Sequence, residues 1–160
     1  MLNILYQLKP FFEDVFREIS VREYSRECTV SPPTASKILK NLEKEEILLS
    51  SKKGIYMFFR ANKDNYMFRQ LAKTYWYSLI YPLTEDLFRE ISFRRIILFG
   101  SLAKAENTGE SDMDIFLDVT KRVLISAFHK RIKRNVQFHF AGEMQNEDLK
   151  SSILEGVVIR

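Results

Sequence analysis

The sequence predicts a mixed α+β / α/β chain: helices and a β-hairpin first, then a helical connector, then a small mixed sheet with flanking helices. Three observations carry this. Apolar residues recur at helical spacing up to Glu45 and are followed by two short strand-like runs around Ser51-Lys52-Lys53-Gly54. The run Arg95 to Phe99 is apolar and β-branched, stops at Gly100-Ser101, and is followed by a second strand that carries Asp112 and Asp114. Val136, Phe138 and Phe140 then alternate with Gln137 and His139, as in a third strand. The boundaries are placed at 1–62, 63–92 and 93–160.

Taken in order, Leu2, Ile4, Leu5 and Leu8 and then Phe11, Phe12, Val15, Phe16 and Ile19 give one or two core helices, with Pro10 expected to break or restart the helix. Val21 to Cys28 is a short helix, and Thr29-Val30-Ser31 is a turn. Ser31 before Pro32 forms an N-cap and first-turn pair, so the next helix runs from Pro32 to Glu45. Its apolar stripe is Ala35, Ile38, Leu39 and Leu42, which leaves Thr34, Ser36, Lys37, Lys40, Asn41 and Lys44 toward solvent. Ile47 to Ser50, a turn at Ser51 to Gly54, and Ile55 to Arg60 make a hairpin whose tip carries Lys52 and Lys53.

A short helix, a turn and a second helix with a polar, lysine-bearing face match the arrangement in which the second helix enters the DNA major groove. With the hairpin added, SVREYSRECTVSPPTASKILKNLEKEEIL followed by SSKKGIYMFFRAN resembles the winged-helix transcription regulators. That resemblance implies nucleic-acid contacts from Thr34, Lys37, Lys40, Asn41 and Lys44 and from Lys52 and Lys53 at the wing. A winged helix that makes only protein contacts is the alternative. Residues 1–62 carry ten Lys or Arg against eight acids, so the basic surplus is small. A homodimer would double it and supply two half-sites.

The connector from Asn62 to Tyr81 has Tyr66, Met67, Leu71, Tyr75, Trp76 and Leu79 at helical spacing, a natural place for a domain connection or dimer contact. Pro82 is expected to end it, with Thr84 capping a further helix to Ile91. Side chains alternate along a strand, so Asp112 and Asp114 share one face while Met113 and Ile115 point into the core. Adjacent carboxylates repel unless a cation lies between them, and Mg²⁺ commonly takes one or two protein carboxylates. A short helix starting at Ser101 would add free N–H groups for a phosphate. After Asp118 the chain reads as an amphipathic helix from Thr120 to Arg134, with Lys130, Arg131, Lys133 and Arg134 at its basic end. A last helix, Asn146 to Glu155, is ended by Gly156, and Val157 to Ile159 is a final strand.

Gly100-Ser101, ten residues, then Asp112-Met113-Asp114 resembles the signature of the DNA polymerase β-like nucleotidyltransferases, nearest to the minimal nucleotidyltransferases. The resemblance implies that Gly100 and Ser101 seat the phosphates of an NTP and that Asp112 and Asp114 hold Mg²⁺. Acceptors in the family range from RNA 3′ ends to protein tyrosines and small molecules, and the ten-residue gap resembles antitoxins that modify HEPN-type toxins. The family usually adds a third carboxylate on the third strand, where this sequence has Gln137 and His139. Asp118 lies about 13 Å along the strand from Asp114, too far to share an ion. Three outcomes follow: two aspartates suffice, His139 serves as the catalytic base, or the domain keeps nucleotide binding and acts as a regulator without turnover.

Composition narrows the setting. The formal charge of +4 and pI near 9.1 permit a nucleic-acid partner. Cys28 is the single cysteine, which excludes an internal disulfide and fits a reducing cytoplasm. No stretch is long and apolar enough to span a bilayer and no signal peptide is evident, so the expectation is a cytoplasmic protein without a membrane partner.

Overall fold

The computed structural model describes residues 2–90, 92–119 and 132–160. Among these the protein is a mixed α+β chain with six α-helices and two sheets. It divides into two compact units, Met1–Ala72 with Ala105–Gly109, and Lys73–Lys104 with Glu110–Arg160. No helix of the described residues is long and apolar enough to cross a membrane.

The first unit runs α1 (Leu2–Glu13), β1 (Ile19–Ser20), α2 (Val21–Glu27), α3 (Pro32–Lys44), β2 (Leu48–Lys53), β3 (Tyr56–Ala61) and the start of α4 (Tyr66–Glu90). Its sheet is antiparallel in the order β1-β3-β2. Contrary to the break expected at Pro10, α1 continues through it. Proline removes one donor, and the burial of Leu5, Leu8, Phe11 and Phe12 on either side offsets that loss. The helix instead stops at Glu13, because the Asp14 carboxylate accepts the backbone N–H of Phe16 and of Arg17, both at 3.1 Å, and turns the chain. Val15 and Phe16 are therefore in a turn, and Ile19, expected in a helix, pairs with Phe59 as a strand.

Both helices that follow are capped by serine. Ser20 and Glu23 form a capping box at α2, and the Ser31 hydroxyl accepts the Thr34 N–H at α3. The inward stripe of α3 is Ala35, Leu39 and Leu42, as the spacing predicts, with Ile38 at its margin. The hairpin differs from the expected four-residue turn. Ser51, Lys52 and Lys53 pair with Phe58, Met57 and Tyr56, and only Gly54 and Ile55 connect the strands. Gly54 at φ +63° takes the left-handed position that such a tight turn requires.

Helix α4 is a single element of 25 residues rather than two, and it passes through Pro82. A proline inside a helix costs about 3 kcal/mol, and burial of Ile80, Leu83 and Leu87 on one side repays it. Thr84 does not cap: its hydroxyl donates to the Tyr81 carbonyl at 2.7 Å. The buried stripe is Phe68, Ala72, Tyr75, Trp76, Ile80, Leu83 and Leu87, whereas Tyr66, Met67 and Leu79 of the expected stripe are exposed. The inward face of a continuous helix is fixed over its whole length, which shifts the phase from that read off residues 62–81.

In the second unit β4 (Ile96–Phe99) leads into α5 (Gly100–Lys104), then β5 (Met113–Leu117), β6 (Val136–Phe140), a 3₁₀ turn (Ala141–Glu143), α6 (Glu147–Leu154) and β7 (Val157–Val158). The strand order is β6-β5-β4-β7, with β5 antiparallel to β4 and parallel to β6. Met113 and Ile115 are fully buried, as expected. Phe116 shares the face of Asp114 and is buried too, because Ile97, Phe99 and Ile153 of α6 gather over that half of the sheet with Ala141, Met144 and Leu149. This face is thus apolar at one end and polar at the other. The helix expected over 120–134 lies outside the described residues up to Arg131, as does Ile91, and residues 132–135 form a bend leading into β6.

Candidate functional site

At the polar end of the second sheet, the register pairs Phe99 with Asp114 and Asp114 with Gln137, so the glycine turn, the acid strand and the third strand meet. Gly100 begins α5 at φ +73°, a left-handed conformation that side chains disfavour. A Cβ built there would lie 2.4 Å from Asp114 Oδ2. Only glycine lets this turn and this carboxylate approach so closely. Ser101 follows in the first turn of α5 and is half-buried.

The two acids are held differently. Asp112, just before β5, accepts the Gln137 side-chain amide at one oxygen and the Asn135 amide, at 3.1 Å, at the other. At the neighbouring residue the Arg134 guanidinium donates to the Ser111 carbonyl at 2.7 Å while lying 5.3 Å over the Trp76 ring. Asp114 sits deeper. Burial raises its carboxyl above the ordinary range, His139 nearby opposes that, and Asp112 adds to it.

His139 stands opposite Phe116 on β6. Its Nδ1 is 3.3 Å from Glu143 Oε2 and its Nε2 is 3.7 Å from Asp114 Oδ1, too long for a hydrogen bond. Nε2 is buried without a hydrogen-bond partner. The ring meets Phe99 edge-on at 5.1 Å. Gly100, Asp112, Asp114, Gln137 and His139 therefore come together as the sequence placed them. Asp118 does not join them; its N–H bonds Arg95 at the far end of β5.

Glu143, Asn135 and Arg134 are site residues that sequence reading missed. The i, i+4 spacing of His139 and Glu143 is the one local signal. It was obscured because it crosses from a strand into a 3₁₀ turn.

Among the described residues no group of three or more His, Cys, Asp or Glu side chains forms a metal-holding cluster. Two carboxylates nevertheless satisfy what Mg²⁺ asks of a protein, the rest of its shell being water and phosphate oxygen. Asp112 and Asp114 fit on chemistry: they are hard oxygen donors at the start of β5, close enough for one charge to disfavour the other.

In the first unit Thr34, Lys37, Lys40, Asn41 and Lys44 are exposed on α3, and Lys52 is exposed on the hairpin. Thr34 shares its hydroxyl with that of Ser31, 2.8 Å away. Lys53 is bound to Glu18 and lies over the Phe58 ring, so its charge is partly answered within the protein. Compared with known proteins, the chain matches no protein-family model, no curated protein and no solved structure.

Proposed function

We propose that the protein is a Mg²⁺-dependent nucleotidyltransferase of the DNA polymerase β-like type, moving a nucleoside monophosphate from an NTP to a hydroxyl acceptor, with an N-terminal winged helix that binds nucleic acid. One observation carries the reading: Gly100 is seated directly on the Asp114 carboxylate, beside Asp112, with His139 presented from the adjacent strand. A glycine turn pressed against a half-buried acid suits a site that must seat a phosphate beside a carboxylate, because glycine alone lets the backbone come so close.

In this reading Asp112 and Asp114 hold the ion, and Gly100 with Ser101 seats the β and γ phosphates. Bound Mg²⁺ supplies charge neutralisation of the phosphates and of the two acids. The acceptor hydroxyl oxygen bonds to the α-phosphorus, the bond to the bridging oxygen breaks, and pyrophosphate leaves. His139 Nε2 takes the hydroxyl proton. Most of the acceleration comes from positioning and electrostatics, so two acids and a histidine suffice. The acceptor is RNA, a small molecule or a protein, a HEPN-type toxin among them.

A second reading is favoured by Asp112, whose oxygens are both engaged by amides of β6 and the bend before it. There the second unit binds nucleotide or a partner without turnover, and the chain is a DNA-binding regulator. The test is to incubate the protein with Mg²⁺ and each α-labelled NTP, alone and with bulk RNA. Label transfer that is lost in Asp112→Ala and Asp114→Ala supports the enzyme. Nucleotide binding by wild type with no transfer to RNA, itself or an added protein overturns it in favour of the regulator. For the winged helix, Lys37→Ala with Lys40→Ala weakens nucleic-acid binding and lowers its salt slope by about 2. An unchanged slope leaves that unit as a protein-contact module.

A further inference from the structure

We infer that Glu143 is a positioning residue for His139: it fixes the imidazole with Nδ1–H toward its own carboxylate and Nε2, as the bare nitrogen, toward Asp114. The inference rests on the nucleotidyl-transfer reading for its consequence, though not for its geometry. It answers what stands where a third acid is absent from β6.

Three contacts define the ring. Glu143 Oε2 lies 3.3 Å from Nδ1, Phe99 packs edge-on at 5.1 Å, and Asp114 Oδ1 is 3.7 Å from Nε2. Glu143 reaches back because the chain leaves β6 through a 3₁₀ turn rather than continuing as a strand. That turn is tied down by the Ala141 N–H on the Val119 carbonyl at 3.1 Å and by Ala141 and Met144, which pack on the cluster of Phe99 and Phe116. A carboxylate accepts and never donates, so its partner nitrogen carries the hydrogen. The other nitrogen is then a lone pair. In a neutral imidazole each nitrogen has one role, and the partner of one decides the role of the other.

Nε2 is thus left buried and without a hydrogen-bond partner, 3.7 Å from Asp114 Oδ1. What suits the gap is an electropositive group, and the hydroxyl hydrogen of an acceptor is one. Glu143 acts on the reaction only through His139, as carboxylates do for imidazoles at metal and acyl-transfer sites. Both side chains of the pair are largely covered, 22% exposed for His139 and 30% for Glu143, so water does not readily substitute for the carboxylate.

The experiment reads the side-chain ¹⁵N shifts of the full chain labelled at histidine, at mildly alkaline pH. His129→Asn removes the signals of the other histidine. Wild type is expected to show a protonated Nδ1 and a bare Nε2. Glu143→Gln keeps an accepting carbonyl and keeps this pattern, while Glu143→Ala shifts the ring toward the Nε2–H form. In the transfer assay Glu143→Ala lowers kcat by about 10- to 100-fold with KM for NTP nearly unchanged, and Glu143→Gln restores most of it. A wild-type ring with hydrogen on Nε2, a doubly protonated ring, or shifts unmoved by Glu143→Ala overturns the proposal. Expected shifts in a protein that transfers no label uphold the positioning by Glu143 and reject the nucleotidyl-transfer reading alone.

Discussion

Replacing Gly100 by alanine tests the contact on which the site is built. Two separate penalties follow from the structure. The first is conformational: at φ +73° a residue with a Cβ gives up about 1–2 kcal/mol. The second is steric, since the new methyl lies 2.4 Å from Asp114 Oδ2, well inside contact distance. The overlap is with the end of a side chain, so turning the Asp114 carboxylate relieves it at about 0.5–1.5 kcal/mol. The sum of about 1.5–3.5 kcal/mol is a sizeable fraction of the roughly 5–15 kcal/mol that holds a domain together. Asp114→Ala removes Oδ2 and Cγ and leaves only the Asp114 Cβ, at 3.5 Å, an ordinary contact. In that background Gly100→Ala retains only the conformational penalty. A double-mutant cycle by urea denaturation therefore gives a coupling of about 0.5–1.5 kcal/mol. Equal costs of Gly100→Ala in both backgrounds would show that the turn does not press on Asp114, and the geometric basis of the site would fall.

Other outcomes follow from the same structure. Asp114 has its pKa raised on folding, so its ionisation opposes folding: its contribution is favourable below the unfolded value near 3.9 and is lost as pH rises through the folded value. Asp114→Asn should accordingly raise the melting temperature at pH 7, with the gain fading below pH 4; a gain that grows on acidification contradicts the burial argument. Asn107 donates from its amide to the carbonyls of Phe12 at 2.9 Å and Glu13 at 3.1 Å, closing the end of α1 from far along the chain. Asn107→Ala should cost about 1–3 kcal/mol, two hydrogen bonds less the relief of its own unpaired buried oxygen. No loss in a denaturation curve would mean that solvent reaches those carbonyls.

Local signals were strongest where the chain decides its own conformation. The serine cap at Ser31 and the alternation around Asp112 and Asp114 concern residues a few positions apart, and the structure agrees with the elements they mark. Sequence and structure part where a local rule meets a tertiary force. Pro10 and Pro82 are helix breakers by propensity, yet both sit inside helices because burial along one face outweighs one missing hydrogen bond. Ile19 fits a helical period and becomes a strand because Asp14 turns the chain first and Phe59 then offers an edge.

For the site the division is similar. Spacing and the period of two are enough to say which strand carries the acids, that they share a face, and that a glycine turn precedes them. What those residues meet is set by the folding of the whole chain. It brought Gly100 onto Asp114 through the antiparallel pairing of β4 and β5, gave Asp112 two amide partners, and returned Glu143 to His139 through a 3₁₀ turn. Strand register and the path of the chain after a strand are set by packing over the whole sheet, so no window of the sequence contains them.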